Sequence, residues 1–542
     1  MLRASRWAVA AAAVCADFLA LATAAPAAAG NCTEVVPGQY LGTPFNNSLE
    51  LLNPLSERAW FKIRDPTGQH LCDDDPDADL SLLTFSSLNS TGQRPPNDAV
   101  RRLIIVSHGA RRDPNDYHNQ MMVALSLVDD PAISPDSVVV ISPYFPMEYD
   151  VGVGYPDPTD PAVASRALVW YFDRWVGGAN NRYPIGANVV SSYDALDQII
   201  QWYADKTRFP NLEQVVVAGH SMGAMLVQRY AAVGKTPAQL GFPDTPVTYY
   251  VGNPNSMLWF ADDRPLSTGN CTETWDNWRE GLSNYLPYDT EHSGEMLYNT
   301  ELVAAGRDAV LANYDAKSIA YGRATRDRGD FKDIYDCAVY TTGKDRSERF
   351  FESFKRFPAT CRDPSEPGCH TLDIVVSGHS SETMFQSEAG RTRLFLDNWS
   401  GDKSRSHDFG YPRIQAGDDP FPDPAHAGEP LVEVDTTAYA GGMAWRGCWT
   451  DVDEAQTEPT FPDAPLYKGD LLSREYCAET CAAANFTIAG LNGSKCYCGD
   501  VLGSQAVNVV STSCSLVCPG DANQTCGGPS RLTVLASVDL VT

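Results

Sequence analysis

The stretch from Val215 to Ala232 restricts the possible folds more than any other part of the chain. Three valines, Val215 to Val217, lead into Gly219-His220-Ser221-Met222-Gly223, and a helical pattern with Ala224, Leu226 and Val227 follows. Strand, tight turn and helix in that order give the motif its meaning, because a bare G-x-S-x-G is weak. The turn is sharp, and residues lacking a Cβ beside it avoid collision. A serine at its apex sits strained at the carboxyl edge of a sheet with its hydroxyl exposed. The amino end of the following helix favours developing negative charge there. Ser221 is therefore the candidate nucleophile.

Two earlier apolar runs resemble the one before the turn. Leu103 to Val106 leads into His108-Gly109, and Val138 to Ile141 leads into Pro143. Such runs read as strands buried on both faces of a parallel sheet. Leu196, Ile199, Ile200 and Tyr203 recur at helical spacing between Asn188 and Asp205. Strands alternating with helices predict a doubly wound, mostly parallel α/β sheet. Further strands are predicted at Val247–Val251, Ser318–Tyr321 and Leu372–Val376. Residues 253–315 carry Trp259, Phe260, Trp275, Trp278, Tyr285 and Tyr288 without a clean period. They read as a cap insertion, its rings either lining a site or packed as an excursion.

A serine hydroxyl needs a base. On sheets that carry this turn the partners follow in the order serine, acid, histidine. His370, His379 and His407 follow a suitable acid. His379 stands in Ser377-Gly378-His379-Ser380, just past a predicted strand, where a reacting group belongs. His370 precedes that strand, and His407 lies toward a polar segment. For the acid, Asp327 and Asp330 both follow the strand Ser318–Tyr321. Asp327 is preferred because it is nearer the strand end, the alternative being an ion pair with the neighbouring arginines. An oxyanion hole needs two backbone N–H groups. Met222 supplies one, and Ala110, in the loop His108-Gly109-Ala110-Arg111, supplies the other. His108 reads as a structural ring in that turn, with Arg111 and Asp113 bracing it. In this part of the chain the histidines lack H-x-x-x-H spacing and the cysteines are better spent in disulfides. Cys477-x-x-x-Cys481 and Cys496-Tyr-Cys498 further on could suggest zinc, but their even count favours disulfides, and no metal or cofactor is expected.

The ends of the chain read differently. Arg3 and Arg6 precede an Ala/Val/Leu run that closes in small residues, the pattern of a signal peptide over residues 1–29. No later run approaches the length of a membrane span, so no membrane anchor is expected. Export fits the sequons at Asn31, Asn46, Asn89, Asn270, Asn398, Asn485, Asn492 and Asn523, which predict a glycoprotein. A formal charge of −28 argues against nucleic acid as a partner. Prolines 412, 420, 422, 424 and 430 punctuate an acidic stretch that reads as a linker over 401–440. Eight cysteines crowd between Cys448 and Cys526, the mark of a small disulfide-stapled module over 441–542. Within it, Trp449, Phe486 and Tyr497 offer either a sugar-stacking face or a small core.

The blocks HGARRDPNDY at His108, GHSMG at Gly219, NPNSMLWFADDRP at Asn253 and TWDNWREGL after Cys271 occur in order. AVYTTGKDRSERF after Cys337 and GHSSETMFQSEAGRTRLF at Gly378 complete the series. Together they resemble a family of extracellular α/β hydrolases of bacteria and fungi, over residues of about 100 to 400. The resemblance implies an α/β-hydrolase domain over 30–400 with Ser221 and His379 as nucleophile and base. In the family an acidic run follows the sixth strand; here Thr325 takes the place of its first Asp and Asp327 that of its second. The eight C-terminal cysteines, opening with Trp445-Arg-Gly-Cys448, resemble a WSC domain, which implies a fungal-type source and a polysaccharide-binding role. The expectation is a secreted, extracellular or wall-associated serine esterase with the triad Ser221, His379 and Asp327. Its partners would be an ester substrate and, through 441–542, a cell-wall or plant polysaccharide. Amide, thioester or polyester cleavage, or a silent wall-binding protein, are the alternatives.

Overall fold

The computed structural model describes residues 38–39, 43–66, 80–157, 166–185, 189–269, 271, 274–324, 327, 337–343, 345–357, 370–375, 377–399, 437–452, 458–506, 508–509, 514 and 516–538. The expected signal peptide, residues 401–436 of the expected linker, Thr325, Asp330 and His407 lie outside them, as do Cys32, Cys72, Cys361 and Cys369.

Nine strands form the larger sheet. They are β1 (Gly38–Gln39), β2 (Ser56–Ile63), β3 (Leu80–Ser87), β4 (Arg102–Ser107), β5 (Val138–Pro143), β6 (Gln214–His220), β7 (Val247–Gly252), β8 (Ser318–Ala324) and β9 (His370–Val375). Their order is β1-β2-β3-β5-β4-β6-β7-β8-β9. The pairs from β1 to β5 are antiparallel. From β5 to β9 every neighbour is parallel.

The apolar runs explain why these segments are central strands. Leu103, Ile105, Val139, Ile141, Val215 and Val217 enter one core cluster. Ile104, Val106, Val138, Val140, Val216 and Ala218 enter the cluster on the opposite face. Successive side chains alternate faces, so a strand covered on both sides shows no polar period. Helix α1 (Pro114–Ser126) covers one face through Tyr117, Met121 and Leu125. Helices α2 (Ser192–Ala204) and α3 (Met222–Val233) cover the other through Leu196, Ile199, Leu226 and Val227.

The insertion between β7 and β8 is aromatic-rich, and its rings point inward. Phe260, Trp278 and Tyr285 join the main core, and Trp259 is 2% exposed. The Cys271–Cys337 disulfide ties this insertion to the segment after β8.

The C-terminal module is a separate antiparallel sheet. Its strands are β10 (Ala444–Thr450), β11 (Tyr467–Lys468), β12 (Ile488–Asn492), β13 (Lys495–Gly499), β14 (Asn508–Val509) and β17 (Arg531–Ala536), with β15 (Val517–Cys518) and β16 (Asp521–Thr525) as a second pair. Disulfides Cys448–Cys514, Cys477–Cys496, Cys481–Cys498 and Cys518–Cys526 engage all eight cysteines. Trp449 sits in a small core with Phe461, Ile488, Leu532 and Val534, and Tyr497 packs at its margin. Phe486 lies half-buried against a second core that holds Leu472, Leu491 and Leu535.

Candidate active site

The chain reverses its direction of strand addition between β4 and β6. β5 is laid on one side of β4, and β6, β7, β8 and β9 on the other. Such a switch opens a crevice at the carboxyl ends of the two central strands. Ser107 at the end of β4 pairs with Gly219 near the end of β6.

Ser221 follows β6 directly and precedes α3. Its backbone has φ 59° and ψ −123°, outside the regions a serine ordinarily adopts. The surroundings hold it there. The Ser221 N–H donates to Gly252 O at 3.0 Å, carrying the β6–β7 ladder one step past the strand. A Cβ on Gly219 would lie 2.3 Å from Gly223 O, and one on Gly223 would lie 2.4 Å from Ser107 O. Both positions therefore require glycine, as the sequence reading anticipated for this turn.

His379 comes from the loop after β9. Its Nδ1 lies 2.8 Å from Asp327 Oδ2, and its Nε2 lies 2.9 Å from Ser221 Oγ. A carboxylate only accepts, so Nδ1 carries the proton and Nε2 accepts from the serine hydroxyl. Serine, imidazole and carboxylate thus form one hydrogen-bonded row across 158 and 52 residues of sequence. Asp327 is 2% exposed. Burial by itself pushes its carboxyl up, but Arg323, the His379 hydrogen bond and Arg346 hold it well below the usual carboxylate range. Arg323 Nη1 reaches Oδ2 at 3.0 Å and Arg346 Nη1 reaches Oδ1 at 3.1 Å. The imidazole and the ion pair, which the sequence offered as alternative partners, occur together.

The other two predicted site residues flank the serine. Gly109 lies beside it: a Cβ there would sit 3.8 Å from Ser221 Cβ. Ala110 is exposed and Met222 begins α3, and the N–H of each is without an acceptor among the described residues. His108 is fully buried, and Phe145 N donates to its Nε2 at 3.0 Å. That fixes the proton on Nδ1, which donates to Gly109 O at 3.0 Å. Burial lowers this imidazole to about 4, and with Nδ1 donating and the Nε2 lone pair already taken by Phe145 N the ring has no lone pair to receive a serine proton. His370 is the first residue of β9, at the other end of the strand from His379.

Several residues at the site had no signal in the sequence. The expected bracing of the loop by Arg111 and Asp113 gives way to Arg112, which pairs with Asp150 at 2.7 Å and donates to Ala110 O at 2.8 Å. Asp113 instead precedes α1 with its Oδ1 buried and unpartnered. Asn253, fully buried, accepts from Ala324 N at 2.7 Å through Oδ1 and donates to His220 Nε2 at 3.1 Å through Nδ2. The His220 ring lies 4.5 Å from that of His379. One side chain thereby joins the nucleophile turn to the start of the acid loop. The sulfurs of Cys477, Cys481 and Cys496 lie close enough for a metal, but each is spent in a disulfide.

The strand order, the antiparallel leading edge and the strained serine turn at the switch point define an α/β-hydrolase fold. The C-terminal module is a WSC domain: residues 445–528 match the model of that family, inside the expected 441–542. The chain is 32% identical over 112 residues to a WSC domain-containing protein of Arthroderma benhamiae, an alignment covering 20% of this chain and 12% of that one. A protein of Chaetomium globosum is 35% identical over 107 residues, covering 19% of this chain and 46% of its own length. The chain thus spans less than half of either relative. Among solved structures, a poly(3-hydroxybutyrate) depolymerase, LpqC, from Bordetella parapertussis is similar, with 18% identity, a TM-score of 0.35 and coverage of 62% of this chain and 88% of that one. So is a siderophore hydrolase, EstB, from Aspergillus nidulans, with 14% identity, a TM-score of 0.30 and coverage of 63% and 96%. Among the described residues no helix is long and apolar enough to cross a membrane.

Proposed function

We propose that the chain is a secreted serine esterase whose WSC domain holds it near an acylated or ester-linked wall polysaccharide. The observation that carries this reading is the row Asp327–His379–Ser221, with hydrogen bonds of 2.8 and 2.9 Å. In the proposed reaction Ser221 Oγ attacks the ester carbonyl and its proton passes to His379 Nε2. The oxyanion takes hydrogen bonds from the Ala110 and Met222 N–H groups. The intermediate collapses as His379 gives its proton to the leaving alkoxide, which departs as the alcohol and leaves an acyl-serine. Water then attacks the acyl carbon, losing a proton to Nε2. The Ser221 oxygen leaves, takes that proton back, and the carboxylic acid is released. Asp327 stays ionised throughout, holding the imidazole and stabilising its cation.

The Ser221 side chain is half-buried and that of His379 is 28% exposed, which leaves the pair open to a substrate. Tethering by the module raises the effective concentration of Ser221 at a polymer surface. Labelling with a fluorophosphonate tests the chemistry. The wild-type chain is expected to label and Ser221→Ala not to; an unlabelled wild type, or equal labelling of both, overturns the esterase reading. Pull-down of the full chain on insoluble glucan, chitin and plant-wall polymer tests the targeting, which fails if retention does not exceed that of albumin.

A further inference from the structure

The carboxylate of Asp327 has more partners than a triad needs. His379 Nδ1 and Arg323 Nη1 converge on the same oxygen, Oδ2, at 2.8 and 3.0 Å. The other oxygen, Oδ1, is held by Arg346 Nη1 at 3.1 Å, its partner among the described residues. Arg323 is itself anchored, its second nitrogen donating to the Asp327 carbonyl. A guanidinium so close to a carboxylate prefers to bind both oxygens through its planar fork. With Oδ1 vacant, Arg323 would swing the carboxylate into that geometry and draw Oδ2 off the imidazole.

Arg346 is aimed from elsewhere in the fold. It opens the helix Arg346–Arg356, whose N-cap Asp345 accepts from Glu348 N at 2.9 Å. Its Nε donates to Asn255 Oδ1 at 2.9 Å. Asn255 also receives Arg349, Nε on its carbonyl at 2.7 Å and Nη2 on Oδ1 at 3.2 Å. The next residue, Ser256, accepts from Arg229 of α3 through its carbonyl at 2.9 Å. The loop after β7 therefore sets the direction of Arg346 relative to the helix that carries the nucleophile.

We propose that Arg346 is a positioning residue for Asp327: by occupying Oδ1 it keeps Arg323 on a single oxygen and leaves Oδ2 aligned on His379 Nδ1, with Asn255 as the group that aims it. This inference rests on the esterase reading above. The test compares full-length wild type, Arg346→Met, Arg346→Lys and Asn255→Ala on p-nitrophenyl acetate, after fluorophosphonate titration of active sites. Arg346→Met is expected to lower kcat about 10- to 100-fold with KM within about twofold, and to displace the far-downfield proton resonance of the imidazole Nδ1–H. Arg346→Lys restores a cation and should recover part of the loss. Asn255→Ala should lower kcat in the same direction with Arg346 intact. If Arg346→Met does not fold, Asn255→Ala decides the matter on the same readouts. Wild-type kcat in folded Arg346→Met, or in Asn255→Ala where Arg346→Met does not fold, overturns the proposal while wild-type labelling leaves the esterase reading standing. An unlabelled wild type removes both.

Discussion

Arg112 grips Asp150 with two nitrogens, Nε on Oδ2 at 2.7 Å and Nη2 on Oδ1 at 2.9 Å. Asp150 Oδ2 also accepts from Met147 N at 3.0 Å, and Arg112 itself has φ 54°. The loop that presents the Ala110 N–H is thus bolted to the segment after β5. Bidentate pairing fixes orientation as well as distance. Arg112→Met is expected to loosen the proposed oxyanion hole and lower kcat roughly tenfold, a fraction of what loss of a whole donor costs. Steady-state kinetics on a soluble ester check this; an unchanged kcat would show that the loop is held without the pair.

Asp327→Asn keeps the shape of the side chain but loses the ionised acceptor that fixes the His379 tautomer. It is expected to lower kcat by about three to four orders of magnitude while the chain stays folded. Asp330→Asn is expected to stay within about twofold of wild type. If the second substitution alone abolishes turnover, the acid is Asp330.

Gly223→Ala places a Cβ 2.4 Å from Ser107 O and 2.6 Å from His108 O, both backbone atoms that cannot step aside. α3 must then move away from β4. The expected result is a loss of several kcal/mol in stability, in the range of other backbone-strain substitutions, and no fluorophosphonate labelling. Thermal melting and labelling, run side by side, report the two effects.

Buried imidazoles set an acid limit on stability, and His220, 2% exposed, is one that burial holds well below its ordinary value. Burial lowers His108 to about 4, His118 to about 3 and His370 to about 4. Unfolded, each titrates near 6.5. Below that value the unfolded chain binds protons that the folded chain refuses, so the unfolding free energy falls as pH falls. The contribution of each ring is present above about pH 6.5 and is lost progressively towards pH 4, up to roughly 3 kcal/mol apiece. Urea unfolding at pH 7 and pH 4.5 measures the difference. Replacing His118 by Gln removes one titrating group and should flatten the slope; an unchanged slope would exclude this ring as a source.

The parts of the fold that were readable from sequence are those set by backbone period and by glycine. Ile104 and Ile105 face opposite cores, so an unbroken apolar run could be read as a doubly covered strand. Ser221 announced itself through the glycines its turn demands, and His379 through its place after β9. Long-range side-chain pairing was less visible. Nothing in the sequence joins Arg346 to Asp327, or Asn253 to His220 and Ala324, because such pairs depend on which strand ends lie side by side. The arginines around Asp327 suggested only a surface ion pair, whereas Arg323 is 1% exposed. The insertion after β7 showed the reverse difficulty. Its rings lacked a period because they reach the core from an irregular loop, not from one face of a helix.

The backbone bond from Ser221 N to Gly252 O, and the next one from Asn253 N to Gly322 O at 2.9 Å, extend the sheet ladder beyond the strands themselves. Loops at a site often open locally and cheaply, but these amides have no such freedom. To expose either, the central strands must part. Their hydrogen exchange should therefore be as slow as that of Val216 and Val251, and should report the opening of the whole sheet. The nucleophile turn shares the fate of the core, so a destabilised variant should lose its competent serine only in the molecules that have come apart.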